Sequence, residues 1–234
     1  MEVPSVNIPS AEHREHQARI TARQALVEVR TKLVNTVRSY YRSSGSTFVK
    51  ASPETLAKRV RNTLETLPRH VEQILLVLDN LNEQIAEADK ALKVIANAEE
   101  TCRVLQTMPG VGPITSICFA ASIDKISRFE SAPKLTSYVG LTPGENTTGF
   151  KTKRIGITKS GPVRVRWTLV QAAWSMVRTR PNDPLTRWFH AVAERRGKKI
   201  AIVALARKMA GILYAMWRDQ RPYDPQKAVA VLAA

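Results

Sequence analysis

A chain of 234 residues that is 44% hydrophobic is long enough to bury a core and too apolar for wholesale disorder. Its net charge of +16 points to polyanions, nucleic acid first, as the class of partner. The first ten residues lack the apolar run of a secretion signal, and no stretch stays apolar for the roughly 18 residues a membrane span takes, so a cytoplasmic protein with no membrane partner is expected.

The charge is uneven. Residues 1–100 carry 14 Lys and Arg against 13 Asp and Glu, a net of +1, and residues 101–234 carry 22 against 7, a net of +15. This divides the chain into a helical linker and assembly region over 1–100 and a nucleic-acid-binding domain over 101–234. Cys102 and Cys118 lie among apolar residues and read as buried small hydrophobes in a reducing compartment. A zinc site needs more ligands than the sequence groups together, so no metal is expected.

From Ala11 to about Ser44 the pattern predicts one helix, with Ala22, Leu26, Val29, Leu33, Val37 and Tyr40 on one stripe and Gly45 ending it. Ser52-Pro53-Glu54 starts a second, with Ser52 as cap and Pro53 at the first helical position. In a third, Val71, Ile74, Leu78, Leu81, Ile85, Ala88, Leu92 and Ile95 recur at steps of three and four. That stripe fits a coiled coil, made with a second copy or by folding back on the first helix, and it fits an ordinary bundle helix as well.

Met108-Pro109-Gly110-Val111-Gly112 then separates apolar residues from a new helix over Pro113 to about Ile123, the pattern of a helix-hairpin-helix. Gly110 and Gly112 allow a tight turn whose backbone N–H groups donate to a phosphate without reading sequence. The same pattern also ends helices that bind nothing. Ser131-Ala132-Pro133 opens a short helix that reaches Tyr138 and stops at Gly140, and Thr147 to Ile157 predicts a hairpin with Gly149 near its bend.

Ser160-Gly161-Pro162 caps a helix running to about Thr179. Its apolar stripe is Val163, Trp167, Val170, Trp174 and Val177, widened by Val165, Leu169, Ala173 and Met176, which assigns both tryptophans to the core rather than to base stacking. From Glu145 to Arg166, one acid faces six cations: Lys151, Lys153, Arg154, Lys159, Arg164 and Arg166. Cations at a helix start oppose the dipole by roughly 0.3–1 kcal/mol each, and a bound phosphate backbone reverses the sign. Solvated surface charge is the competing explanation. Asn182-Asp183-Pro184 starts another helix that ends in basic residues, and Ile200 to Trp217 reads as an apolar core helix.

Read together, Met108 to Gly112, Gly140-Leu141-Thr142-Pro143, Thr148-Gly149, Gly156-Ile157-Thr158-Lys159, Gly161, Leu169 to Trp174 and Ala204 to Lys208 resemble the bridge-RNA-guided transposases of insertion-sequence family 110. The front half resembles that family's connecting helices, from Val6 to Ser10 and through Arg23 to Asn35. The resemblance implies DNA transposition by strand cleavage and rejoining, with a homo-oligomer joined through the coiled coil and with duplex DNA and a structured guide RNA as partners. It implies an N-terminal RuvC-like domain whose four acids hold magnesium, and a C-terminal serine that attacks the DNA backbone.

This chain begins where that acidic domain would have just ended, and its Thr148-Gly149 aligns with the family's Ser-Gly. The resemblance therefore makes Thr148 the candidate nucleophile, with Thr147 and Ser160 behind it and magnesium expected only through the acidic domain. A hydroxyl becomes a nucleophile only with a base or metal to activate it, and plain turn chemistry accounts for Thr147-Thr148 equally well.

The expected fold is mainly α: a long helical, coiled-coil region, then a compact helical domain with a helix-hairpin-helix-like turn and a small β-hairpin or loop insertion. The alternative function is a non-catalytic basic helix-hairpin-helix protein, binding DNA or RNA on a coiled-coil stalk.

Overall fold

The computed structural model describes residues 8–45, 50–63, 67–148 and 151–228, with the side chains of residues 146–148 and 151–154 outside that description. Among the described residues the chain is mainly helical, as expected. In chain order come α1 (Ala11–Ser43), α2 (Leu56–Thr63), α3 (Arg69–Ala98), α4 (Glu100–Gln106), α5 (Pro113–Ile123), a 3-10 turn (Ile126–Arg128) and α6 (Ala132–Tyr138). After them come β1 (Pro143–Thr148), β2 (Lys151–Ile157), α7 (Val163–Thr179), α8 (Pro184–Arg196) and α9 (Lys198–Asp219). Two compact units divide these elements: Ala18–Leu92, and Met1–Gln17 together with Lys93–Ala234.

In the unit Ala18–Leu92, α1 and α3 run antiparallel. Arg23 Nε donates to Asp89 Oδ1 at 2.7 Å and Arg30 Nη1 to Asn82 Oδ1 at 3.2 Å, so residue numbers rise on one helix as they fall on the other. Val34, Val37 and Tyr41 of α1, Leu56, Ala57 and Val60 of α2, and Val71, Leu75 and Leu78 of α3 form one buried cluster. The long stripe of α3 is thus covered within the chain.

Two readings of this unit are corrected. Ala22 and Val29 are exposed although they lie on the stripe read for α1, and the inward face runs instead through Arg23, Arg30, Val34, Val37 and Tyr41. The two arginines belong to it because they pair with α3 and with Glu54, contacts that an apolar pattern does not register. The second helix begins at Leu56, since Ser52-Pro53 forms a turn in which the Thr55 N–H donates to the Ser52 carbonyl at 3.1 Å.

In the other unit α9 is central, packed against α4, α6, α7 and α8. Ala201, Leu205, Ala206, Met209, Ala210 and Leu213 are wholly buried along it. By length and composition alone its 22 residues would suffice to cross a membrane, contrary to the expectation that no segment does. Its burial among its neighbours makes it the core helix that the sequence predicts.

The tryptophans of α7 are the main correction. Val165, Leu169, Ala172, Ala173 and Met176 are buried, whereas Val163 is 69% exposed, Trp167 45% and Trp174 37%. The stripe read as a widening of the core is the core, and of the stripe read as its centre Val163, Trp167 and Trp174 face outward while Val170 and Val177 are half-buried. Both stripes are apolar, so only the packing against α5 and α9 decides between them.

Candidate nucleic-acid interface

The glycine- and hydroxyl-rich stretch before α7 is a hairpin on a braced base. β1 and β2 pair antiparallel, with Thr148 opposite Lys151, Asn146 opposite Lys153, and the one acid, Glu145, opposite Arg154. At the base the Thr158 N–H donates to the Thr142 carbonyl at 3.0 Å and the Lys159 N–H to the Gly140 carbonyl at 3.1 Å. Gly140 (φ +73°) and Gly161 (φ +71°) let the two chains cross, for a Cβ on Gly140 would meet the Ser160 carbonyl and one on Gly161 the Tyr138 carbonyl.

Arg166 completes the brace. It is 9% exposed, and its Nη1 donates to the carbonyls of Val139 at 2.9 Å, Ser160, and Gly161 at 3.2 Å. Its charge therefore ties the hairpin base to α7. Ser160 caps nothing: the residue before α7 is Pro162, and Ser160 Oγ lies 3.2 Å from Thr158 Oγ1.

Lys159 is exposed and holds φ +59°, a left-handed conformation that costs a residue with a Cβ roughly 1–2 kcal/mol. A lysine kept where glycine would relax suits a site that needs its charge. Lys159→Gly is expected to raise stability by up to about 1 kcal/mol and to weaken nucleic-acid binding. Urea unfolding beside a DNA titration checks both, and a variant that binds like the parent removes Lys159 from the interface.

Outward on α7, Arg164, Trp167, Gln171, Trp174 and Arg178 are all exposed and follow one another at steps of three and four, which places them on one face. Two cations thus flank two aromatic rings and an amide on a helix whose first turn contains no acid. Trp174 meets Phe189 of α8 edge to face at 5.9 Å, so its ring is held rather than free to swing. This combination of charge and fixed aromatic faces suits a polyanion that carries bases.

Three further features surround this face. In the turn between α4 and α5, the Val111 N–H donates to the Met108 carbonyl at 3.0 Å, and Gly110 (φ +84°) lies against α7 so closely that a Cβ would meet the Ala172 carbonyl. Gly112, by contrast, has open space on its Cβ side and caps α5. Arg195, Arg196, Lys198 and Lys199 cluster exposed around Gly197 (φ +83°) where α8 passes into α9. On α9, Lys208 lies 5.9 Å from the centre of the Trp188 ring, and burial first, then the charge of Arg207, lowers its pKa.

Residues 102–188, which contain the turn, the hairpin and α7, match a family model described as Transposase IS116/IS110/IS902 family. The match makes these residues similar to the domain that family shares. Among curated proteins the chain is similar to the "Transposase for insertion sequence element IS1111A" of Coxiella burnetii, with 32% identity over 92% of this chain and 61% of that protein. It is also similar to the "Transposase for insertion sequence element IS1328" of Yersinia enterocolitica, at 28% identity over 90% of this chain and 66% of that one. The chain thus spans about three fifths to two thirds of the length of these relatives.

Within the matched residues the structure brings Lys159 and Arg164 to the start of α7 and turns Arg166 inward. Gly110 docks the turn on α7, and Gly112 alone leaves its helix start open. The backbone of Thr148 ends β1 beside Lys151, while Gly149 and the side chains of Thr147, Thr148, Lys151, Lys153 and Arg154 lie outside the described residues. Trp167, Gln171, Trp174 and Arg178 were not read as site residues. Their exposed spacing signals them only once the buried stripe is known.

One group that could hold a metal ion, Glu12, His16 and Glu99, also escaped the sequence reading, since 83 residues separate His16 from Glu99. It belongs to the same unit but not to the residues matched by the family.

Proposed function

We propose that this chain is the DNA-holding and strand-transfer part of an insertion-sequence transposase. In this reading α7 and the hairpin lie along the phosphates of duplex DNA, with Lys151, Lys153, Arg154, Lys159 and Arg164 neutralising charge. The hairpin end carries Thr148 to the backbone. The observation that carries the reading is that the residues matching the transposase family are the ones that build the acid-poor outer face and the braced hairpin.

The Thr148 hydroxyl attacks a phosphodiester, forming a protein–DNA ester and releasing a DNA hydroxyl, and it does so only when an acidic, magnesium-holding domain activates it. A structured guide RNA is proposed to select the DNA, with the exposed tryptophans of α7 available for unpaired bases. A homo-oligomer completes the assembly, a role supported by Leu76 and Val77, exposed on α3 at 59% and 49%. We place the work in the cytoplasm, where the two buried thiols stay reduced.

The test is a magnesium-dependent cleavage assay on duplex DNA, with and without an added RuvC-like acidic domain, scored for protein covalently attached to DNA. An adduct that appears with the acidic domain and disappears in Thr148→Ala supports the reading. Tight binding with no adduct in any combination leaves a DNA-holding module without chemistry.

A further inference from the structure

Glu12 and His16 are four residues apart on α1, so both side chains leave the helix on one face. Glu99, in the break between α3 and α4, meets them there. One ligand atom from each of the three lies within 4.8 Å of the others. His16 is 7% exposed and its Nδ1 makes no hydrogen bond, although Glu99 Oε1 stands 3.2 Å away. A buried polar atom left without a hydrogen bond costs roughly 1–3 kcal/mol. Two ligand atoms bound to one tetrahedral ion at about 2.0 Å are separated by about 3.3 Å. The nitrogen and the carboxylate oxygen thus have the spacing of two ligands on one ion.

We propose that Glu12, His16 and Glu99 hold a single divalent first-row cation, of which zinc is the best fit, fastening the start of α1 to the junction of α3 and α4. One imidazole nitrogen with two carboxylate oxygens is a zinc donor set, whereas calcium and magnesium favour oxygen alone and copper(I) favours sulfur. Glu12 is on the exposed side, where a water completes the fourth position.

The surrounding residues fit this role. The Cys102 thiol donates to Glu99 Oε2 at 3.3 Å, which leaves Oε1 turned toward His16. Cys102 thus acts as an orienting donor to that carboxylate. His13 is engaged elsewhere, its Nδ1 lying 2.8 Å from Ser10 Oγ and 3.4 Å from Asp124 Oδ1.

Calorimetric titration of the metal-free chain with zinc, with cobalt absorption as a reporter of tetrahedral geometry, tests the site. One equivalent should bind and raise the melting temperature. Glu12→Gln, an exposed change that leaves helix content intact, and Glu99→Gln should each weaken zinc at least tenfold, and Cys102→Ala by about 10–100-fold. An ordinary pair between a protonated His16 and Glu99 would need no Glu12. No zinc binding, or wild-type affinity in either glutamine variant, overturns the proposal.

Discussion

Gly110→Ala is expected to destabilise the chain by about 3–5 kcal/mol, while Gly112→Ala, two positions on, costs about 1 kcal/mol or less as a poorer helix cap. Gly110 holds φ +84°, and an added Cβ would meet the Ala172 carbonyl and stand 2.9 Å from the Met176 backbone nitrogen. Both atoms belong to the backbone of α7, which cannot swing aside as a side chain can. To relieve the clash α7 would have to move, and with it the buried Leu169, Ala173 and Met176 that pack the core. Overpacking and left-handed strain together reach a large part of the 5–15 kcal/mol that typically separates folded from unfolded.

Gly112 has φ −97°, which any residue adopts, and nothing within 4 Å of its Cβ position. Urea unfolding of the two variants makes the comparison, and equal midpoints would mean that the turn does not dock on α7. The pair also separates two roles that glycine can play in such a turn. A loss of DNA affinity in Gly110→Ala follows from displacement of α7, whereas a loss in Gly112→Ala, which keeps most of its stability, locates a phosphate at the start of α5.

Sequence was most informative where punctuation marks an element. Proline within two residues of the start defines α5, α6 and α8, and Asp183 caps α8 by accepting the Leu185 N–H at 2.9 Å. Gly140 and Gly161 flag the hairpin base because only glycine fits the crossing there. Periodicity did less well where a helix is apolar on two adjacent stripes. In α7 the stripe of Val165, Leu169, Ala173 and Met176 and the stripe of Val163, Trp167 and Trp174 have similar hydrophobicity, and size favoured the tryptophans. The inward stripe contains alanines, which suits a close approach by the turn at Gly110 and by α5.

Charge was misread for a related reason. Arg166 counted as one of six cations facing DNA, yet three carbonyls at a chain crossing needed a donor, and the guanidinium of Arg166 fills that need from inside. Arg23 and Arg30 face α3 for the same reason, to reach partners that lie far away in sequence. The Glu12, His16 and Glu99 group was hidden in the same way. None of these contacts leaves a local pattern, because each joins segments that only the fold brings together.

Replacing Lys153, Arg154 and Lys159 together by glutamine is expected to lower duplex affinity roughly 100-fold at about 0.15 M salt and to flatten the plot of log K against log salt by about 2.7. Each phosphate contact releases condensed counterions worth about 0.9 in that slope, so the slope counts contacts independently of any change in fold. Glutamine removes the charge while keeping a polar, though shorter, side chain, and at position 159 it keeps a Cβ in the left-handed conformation already present.

Trp167→Ala provides the contrast. A ring that stacks on an unpaired base contributes roughly 1–3 kcal/mol with no counterion release, so its loss lowers single-strand affinity at constant slope. Salt titrations on duplex and single-stranded DNA, run on both variants, therefore resolve the hairpin from the outer face of α7. If the triple variant retains the parental slope, the phosphates lie elsewhere. The exposed Arg195, Arg196, Lys198 and Lys199 around Gly197 would then be the cations that hold them.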